Sequence, residues 1–263
     1  MEVGTGLALL GSAKLVAKLL GPTADYIGSG VKTWTEKRVA NVKNIFAIAS
    51  NRIGPRIEEA GQVPPKVLKG ILEDGSFCDD SLAAEYFGGV LASSRSGVPR
   101  DDRGAYFIAL ISKLSTYQIR AHYVIYHMVK QLFDGSGLQI TKQSEVEKMR
   151  VFVPFELFGQ ALDFSPDEVK NFEALLTHIL TGLGKENLIA NSYVSGSMEF
   201  MQSYFKGAAA NGLIFQPTLY GALLFLWAYG EGLKKPNSFL DTSSNFPLSS
   251  GVSVPAGYQS TNA

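Results

Sequence analysis

The sequence predicts a mainly α-helical protein, a multi-helix bundle with at most a few short strands near the C-terminal third. Two observations support this prediction. Apolar residues recur in steps of three and four along most of the chain, which is the spacing of one face of an α-helix. Residues that cap helices stand directly before several of these stretches. The 263 residues, 46% of them hydrophobic, are enough for a sizeable core in one large domain or two small ones.

The charge of the chain is low and unevenly distributed. Charged residues make up 18% of the chain, below the roughly 25% of an ordinary globular domain, which indicates contact with partners or a membrane. The 24 basic and 24 acidic residues cancel, and this balance disfavours a nucleic-acid-binding protein. Residues 1–70 nevertheless contain ten Lys and Arg against five Asp and Glu, whereas residues 151–263 contain five against nine. The basic N-terminal part suits either an anionic membrane surface or a solvated helix face.

The first predicted element is an apolar helix at the N-terminus. Ala13, Ala17 and Gly21 recur every fourth residue and give this helix a face of small side chains, on which another helix can pack closely. Lys14 and Lys18 interrupt the apolar run, which argues against a membrane-spanning helix. The run also lacks the positive start and the cleavage site of a signal peptide. The predicted location is therefore the cytoplasm, with peripheral contact at the inner membrane left open, and the small-residue face favours self-association.

After this helix over residues 1–21, a helical core is predicted over residues 22–135. Pro22 is well placed to open a long amphipathic helix that continues to about Ile53, because proline is favoured at the first helical position. Further helices are predicted where a proline, an acidic pair or a Ser-x-x-Gln capping box precedes an apolar periodic stretch. Their predicted starts are Pro64-Pro65, Asp79-Asp80, Asp101-Asp102 and Ser115, with ends near Gly75 and Ser94 for the first two and near Phe133 for the last.

A second helical part is predicted over residues 136–232. The weak alternation in residues 149–155 predicts a short strand. Ser165-Pro166-Asp167-Glu168 then combines an N-cap, a proline at the first helical position and a capping-box glutamate. We expect the helix behind this signal to run to about Leu180.

The end of this second part is similar to the end of a winged-helix domain. It consists of a predicted helix over Met198–Ala210, a short apolar run at Gly212–Phe215 and a predicted helix over Leu219–Tyr229. The remaining residues, 233–263, form a low-complexity tail rich in Ser, Pro, Asn and Gly. This composition predicts a tail that is disordered or loosely packed.

Four stretches of the chain resemble the Abi-alpha family of abortive-infection proteins. They are, in order, Arg38-Val-Ala-Asn-Val-Lys-Asn-Ile-Phe after the Gly21-Pro22 break; Pro64-Pro-Lys-Val-Leu-Lys-Gly-Ile-Leu-Glu-Asp with Asp79-Asp80 and Tyr86-Phe-Gly-Gly-Val-Leu-Ala-Ser-Ser; Phe107-Ile-Ala-Leu-Ile-Ser-Lys-Leu-Ser-Thr-Tyr-Gln; and Asn211-Gly-Leu-Ile with Thr218-Leu-Tyr-Gly-Ala-Leu-Leu-Phe. Their order and spacing carry the resemblance, which covers residues 21–230. It implies a bacterial antiviral role in which an infected cell stops growing or dies before phage can spread. It implies no catalytic residue.

The candidate ligand or partner pocket consists of three arginines and a histidine. Arg100, Arg103, Arg120 and His122 would form a pocket for an anionic ligand if they converge, since guanidinium groups bind anions well. The alternative is a histidine that packs near a helix surface, because histidines are commonly of intermediate burial. His122 and His127 are five residues apart and do not share a helix face, so no metal shared between them is predicted.

No catalytic group, cofactor or metal is predicted from the sequence. The pairs Asp79-Asp80 and Asp101-Asp102 invite an acid–base interpretation, but each stands directly before a helix, where capping is a sufficient structural reason. Cys78 is the only cysteine, and the two neighbouring carboxylates are expected to raise its pKa rather than to activate it. Without a nucleophile, a base and an orienting partner, the sequence predicts a protein that is not an enzyme.

The sequence and the resemblance together predict a non-enzymatic phage-defence protein, an effector or sensor acting by protein or membrane interaction. A protein partner or self-association is expected, contact with the inner-membrane surface is a second expectation, and nucleic acid is disfavoured. The alternative is a soluble regulatory module that binds nucleic acid or a protein through its winged-helix-like C-terminal part. Few basic residues lie in Gly212–Phe225, which leaves few phosphate contacts for the nucleic-acid version.

Overall fold

The computed structural model describes Lys18 and residues 36–262, and the protein is mainly α-helical, as predicted. Its backbone contacts divide the chain into two compact units. Among the described residues, unit 1 consists of Lys18, residues 36–113 and residues 226–233, and unit 2 consists of residues 114–225 and 234–262. The predicted helix at residues 1–21 lies outside the described residues, apart from Lys18.

Among the residues that the structure describes, unit 1 has four helices that lie wholly within it. They are α1 (Glu36–Ile53), α2 (Pro65–Glu73), α3 (Ser81–Ser94) and α4 (Arg103–Lys113), with short 3-10 turns at Gly54–Glu58 and Gly75–Phe77. Helix α3 packs against α1 and α4 and is buried along nearly its whole length. It is therefore the centre of unit 1.

Two local features fix α3 in place. At its start, the Asp80 carboxylate accepts a hydrogen bond of 2.7 Å from the backbone N–H of Ala83, so Asp80 is the predicted N-cap. In its middle, Gly89 lies directly on the backbone of Ala228. A Cβ atom at position 89 would be 1.6 Å from the Ala228 carbonyl oxygen. The paired glycines of this helix thus allow a backbone-to-backbone contact that a larger residue would prevent.

Unit 2 contains the remaining helices and a small antiparallel sheet. Its elements are α5 (Thr116–Phe133), α6 (Gln143–Val146), β1 (Val151–Pro154), α7 (Phe155–Leu162), α8 (Pro166–Val169), α9 (Phe172–Lys185), β2 (Val194–Gly196), α10 (Met198–Gln202), β3 (Gly212–Phe215), α11 (Leu219–Ala228), a 3-10 turn at Pro236–Leu240, and β4 (Gln259–Ser260). The last three residues of α11 belong to unit 1. Helix α5 packs on α9 and α7. This packing explains why α5 groups with the chain that follows it rather than with the helices before it.

The strands lie in the order β2-β3-β1-β4, and all pairs are antiparallel. The short strand predicted at residues 149–155 is β1, and the apolar run at Gly212–Phe215 is β3. In the register of these two central strands Val151 pairs with Phe215 and Val153 with Leu213. All four residues of β3 are buried, which agrees with a run of apolar residues without alternation.

Two predicted helices are shorter than expected. The capping box at Ser165 is present, with Glu168 as its third residue, but the helix behind it stops at Val169. Asn171 has φ −108° and ψ 19°, which is outside the helical region, so α9 begins afresh at Phe172. The helix expected over Met198–Ala210 ends at Gln202, because the chain must turn there to enter the buried strand β3.

The prediction that the tail is disordered or loosely packed is wrong for its first part. Phe239 is fully buried and Phe246 is 9% exposed, and both rings pack edge-to-face on Phe225 at centroid distances of 5.4 and 5.2 Å. Further on, β4 pairs with β1 and covers one edge of the sheet. The composition predicts a loose tail because most of its residues are polar. Two buried phenylalanines are nevertheless enough to hold this segment on the core.

Candidate functional site

Most residues of the predicted anion pocket form hydrogen bonds with other parts of the protein. Arg100 and Arg103 belong to unit 1, whereas Arg120 and His122 belong to unit 2. The Arg103 guanidinium donates two hydrogen bonds to Asp101, of 2.7 and 2.8 Å, and this pairing lowers the pKa of the Asp101 carboxyl. Arg100 is exposed.

On helix α5, Arg120 and His122 are directed to different neighbours. Arg120 donates from Nε to the carbonyl oxygen of Ala161 at 3.1 Å and from Nη2 to that of Gly251 at 3.3 Å. The Nε2 atom of His122 lies 3.0 Å from the carbonyl oxygen of Gly221 in the core, and burial lowers the pKa of His122 to about 3. The structure therefore does not bring these two side chains together, as expected for residues two apart on a helix.

Two further residues from the sequence analysis lie in packed surroundings. His127 packs against Tyr123 and Phe225 at centroid distances of 4.4 and 5.1 Å, and burial lowers its pKa to about 4. The Sγ atom of Cys78 donates to the carbonyl oxygen of Asp80, and its pKa is raised to about 11, mainly by burial and less by the neighbouring carboxylates. In the described part of the chain, no three His, Cys, Asp or Glu side chains are grouped as a metal site would need.

The predicted helix-association face of Ala13, Ala17 and Gly21 lies outside the described residues. Among the helices that are described, we find none with the length and apolarity that crossing a bilayer requires. The winged-helix-like end is formed by α10, β3 and α11. Helix α11 has no Lys or Arg, and most of its side chains are buried.

The structure instead reveals an aromatic groove on unit 2, which we define by Phe155, Phe164 and Phe172. Phe155 begins α7 and Phe172 begins α9. Between them, Asp163 adopts a left-handed conformation with φ 59°, which ends α7 and reverses the chain. The reversal returns Phe164 to the same side of α7 as Phe155.

The three rings of the aromatic groove support one another. Phe172 packs edge-to-face with Phe155 at a centroid distance of 5.3 Å and with Phe164 at 6.1 Å, which is a favourable arrangement of aromatic rings. All three rings are only partly buried. Gly159 lies beneath them, since a Cβ atom there would be 3.8 Å from Phe172 and 3.9 Å from Phe164.

The aromatic groove consists of two adjoining pockets that share Phe155 and Phe172. One has a volume of about 390 Å³ and also contacts Gly159, Phe164 and Val169; the other has a volume of about 340 Å³. The lining of the second pocket includes Leu176, Leu180 and Tyr193. Together they form one concave surface with phenylalanine rings at its centre, and an apolar face of a peptide or helix can dock on such a surface.

The only charged side chains that line the described groove are two carboxylates. Glu156 lines the first pocket and Glu173 the second, and no Lys or Arg lines either. Both carboxylates are exposed, and neither forms an ion pair with a described residue. The groove therefore presents phenylalanine rings flanked by negative charge.

The sequence patterns did not single out Phe155, Phe164 or Phe172 as site residues. One signal could have found the groove. The dipeptide Phe-Glu occurs at 155–156 and again at 172–173, in each case at the start of a helix. This repetition places a ring and a carboxylate together twice.

Comparison of the chain with protein-family models, with curated proteins and with solved structures found no match. The resemblance to the Abi-alpha family therefore stays a prediction from the stretches that carry it.

Proposed function

We propose that the protein is a non-enzymatic binding protein of bacterial phage defence, an effector or sensor, and that it docks a partner protein in the aromatic groove. The occupant that we propose is an amphipathic helical segment of the partner with an apolar face and flanking Lys or Arg residues. The defence role comes from the Abi-alpha resemblance. The docking site comes from the structure of unit 2.

The observation that carries the docking proposal is that Phe155, Phe164 and Phe172 are all only partly buried. Each ring retains apolar surface in contact with water, and covering it contributes about 1 kcal/mol per ring. Large aromatic residues in a concave surface are typical of the energetic centre of an interface. An apolar helix face fits this surface better than a polar ligand does.

The negative charge around the groove favours a partner with positive side chains. Glu156 and Glu173 are exposed, and positive side chains at the ends of a docked helix would pair with them at the rim. Such rim charges add little affinity but speed association and exclude acidic partners. The region 151–200 has seven Asp and Glu against two Lys and Arg, so the surroundings favour the same partner.

The alternative of a winged-helix-like nucleic-acid site receives less support. Helix α11 is largely buried and has no basic residue, whereas phosphate contacts require Lys or Arg. A peripheral membrane contact rests on the N-terminal residues alone and stays a second proposal. Its test is whether deletion of residues 1–21 removes the protein from a membrane fraction.

The cellular test uses a matched pair of variants at Gly159. Gly159→Leu places a branched side chain in the groove, whereas Gly159→Ala adds one methyl group in a space that accommodates it. Cells that produce each protein are challenged with a phage panel at low and high phage load. We expect wild type and Gly159→Ala to protect at low load, with collapse of the culture at high load, and Gly159→Leu to lose protection.

A binding assay separates the docking proposal from the defence proposal. The probes are a synthetic amphipathic helix with Leu on one face and Lys on the other, and its counterpart with Glu in place of Lys. We expect the Lys peptide to bind wild type and Gly159→Ala with similar affinity. Its affinity for Gly159→Leu should be lower by a factor of about 10 or more. Equal binding of the Lys and Glu peptides, or equal binding to both Gly159 variants, would contradict the docking proposal even if the cells are protected.

A further inference from the structure

Unit 2 contains a second concave surface, which we call the amide cleft after Asn187, Asn191 and Gln216. It has a volume of about 540 Å³, within the range of small-molecule sites. The residues that line it come from α6 and the segment before it, from the loop after α9, and from the segment between β3 and α11 together with the first half of α11.

Backbone hydrogen bonds hold the two segments that carry these amides. The N–H of Ala190 donates to the carbonyl oxygen of Gln216 at 3.0 Å, and Ile189 pairs with Pro217 as an isolated antiparallel bridge. The Oγ1 atom of Thr218 donates to the carbonyl oxygen of Asn187 at 2.6 Å. The loop and the segment before α11 therefore form one frame.

Gln216 is the observation that points to a ligand. Gln216 is only 8% exposed, it lines the amide cleft, and its carboxamide forms no hydrogen bond with a described residue. Polar groups in such surroundings are normally paired with protein or with ordered water, so a molecule in the cleft would meet a carboxamide that the fold itself does not use. Asn187 and Asn191 also line the cleft, but both are exposed, so Gln216 alone carries this observation.

The lining also indicates the charge of the ligand and the hydrogen-bonding groups that it needs. No Asp, Glu, Lys, Arg or His is among the described residues that line the cleft, so a charged ligand would find no counter-ion there. Each carboxamide presents a donor and an acceptor side by side. This pair matches the edge of a planar heterocycle that has an adjacent acceptor and donor, as Asn and Gln do with adenine. Pro217 and Tyr220 add flat apolar surfaces to the lining, on which a base can stack.

We propose that the amide cleft binds a neutral nucleobase or nucleoside, with the carboxamide of Gln216 as its central hydrogen-bonding group. The site is separate from the aromatic groove, because the two share no lining residue. The inference therefore stands or falls independently of the docking proposal.

The test measures binding of individual probes to the full chain by isothermal titration calorimetry. The probes are adenosine, guanosine, cytidine and uridine, with adenosine 5′-monophosphate and glucose for comparison. We expect at least one nucleoside to bind, adenosine 5′-monophosphate to bind more weakly than adenosine, and glucose not to bind. Gln216→Leu, which keeps the volume and removes the amide, should weaken the nucleoside about 10-fold or more.

Three controls keep the result unambiguous. Gln160→Leu removes an exposed amide at the aromatic groove and should leave nucleoside affinity unchanged. Gly184→Ala is a second, independent perturbation, since a Cβ atom there would be 2.5 Å from Oδ1 of Asn191 and should displace that amide. Circular dichroism and urea unfolding of Gln216→Leu report whether the variant is folded as wild type is. The inference is overturned if no nucleoside binds, if glucose binds in its place, or if Gln216→Leu binds the nucleoside as wild type does.

Discussion

At the scale of single residues, glycines divide into those that the fold requires and those that it tolerates. Gly89 is required, because a side chain there would collide with the backbone of Ala228, which cannot move out of the way as a flexible side chain can. Gly221 is a second required glycine, since a Cβ atom there would be 2.4 Å from the carbonyl oxygen of Leu188. Gly159 differs from both, because it is helical and has room for a methyl group.

The first prediction concerns this contrast. Gly89→Ala should destabilise the protein by about 3 kcal/mol or more, since overpacking against rigid backbone forces helices apart. Gly159→Ala should instead raise the free energy of unfolding by about 0.5–1 kcal/mol, because alanine is the better helix former. Urea unfolding followed by circular dichroism measures both. A Gly89→Ala protein as stable as wild type would contradict the close approach of α3 and Ala228.

At the scale of secondary-structure elements, capping residues decide where helices begin. The Ser115 hydroxyl accepts from the backbone N–H of Gln118, and the Gln118 side chain accepts from the backbone N–H of Ser115, which is a complete capping box. Ser115 also lies 2.9 Å from Nε2 of His178 on α9. It thereby connects the start of α5 with the helix on which α5 packs.

The second prediction is made for this cap. Ser115→Ala should lower the free energy of unfolding by about 1 kcal/mol, because the N–H of Gln118 loses its acceptor. Ser115→Asp retains an acceptor and should stay within about 0.5 kcal/mol of wild type. Thermal unfolding of the two variants at matched concentration makes the comparison. Equal losses for both would mean that the hydroxyl itself, rather than an acceptor at this position, is needed.

At the scale of the whole molecule, burial of neutral histidines couples stability to pH. The pKa values of His122 and His127 are lowered to about 3 and about 4 in the folded protein, against about 6.5 in an unfolded chain. Above pH 6.5 both states are neutral, so these residues add no pH dependence. As pH falls below 6.5 the unfolded chain binds protons that the folded protein does not, and stability declines until the folded pKa values are reached.

The third prediction follows from His127, whose ring packs among aromatic side chains. Between pH 7.5 and 4.5 wild type should lose stability steadily, and His127→Phe should lose less, by about 2–3 kcal/mol, because one such proton uptake is removed. Urea midpoints at several pH values give the profiles. An unchanged profile for His127→Phe would show that His127 is accessible to protons in the folded protein.

Local signals in the sequence predicted a large part of the secondary structure. The caps at Asp80, Ser115 and Ser165 predicted helix starts that the structure confirms. Apolar spacing predicted the mainly helical class, and a weak alternation predicted the short strand at residues 149–155. These features depend on residues within a few positions of one another, so they can be predicted directly from the amino-acid sequence.

The two binding surfaces could not be predicted in this way. Phe155 and Phe172 are seventeen positions apart in the sequence, and Gln216 meets the loop of Asn187 across twenty-nine positions. Their side chains become neighbours only because Asp163 reverses the chain and because β3 passes through the sheet. No periodicity within one element contains that information.

The helical class and the places where helices start can therefore be predicted from the sequence, because capping and apolar spacing are local. The tertiary structure alone decided the division into two units, the burial of the tail through Phe239 and Phe246, and the positions of the aromatic groove and the amide cleft. The physical reason is that packing joins residues by shape and apolar area across long stretches of chain, and this complementarity exists only once the elements have come together.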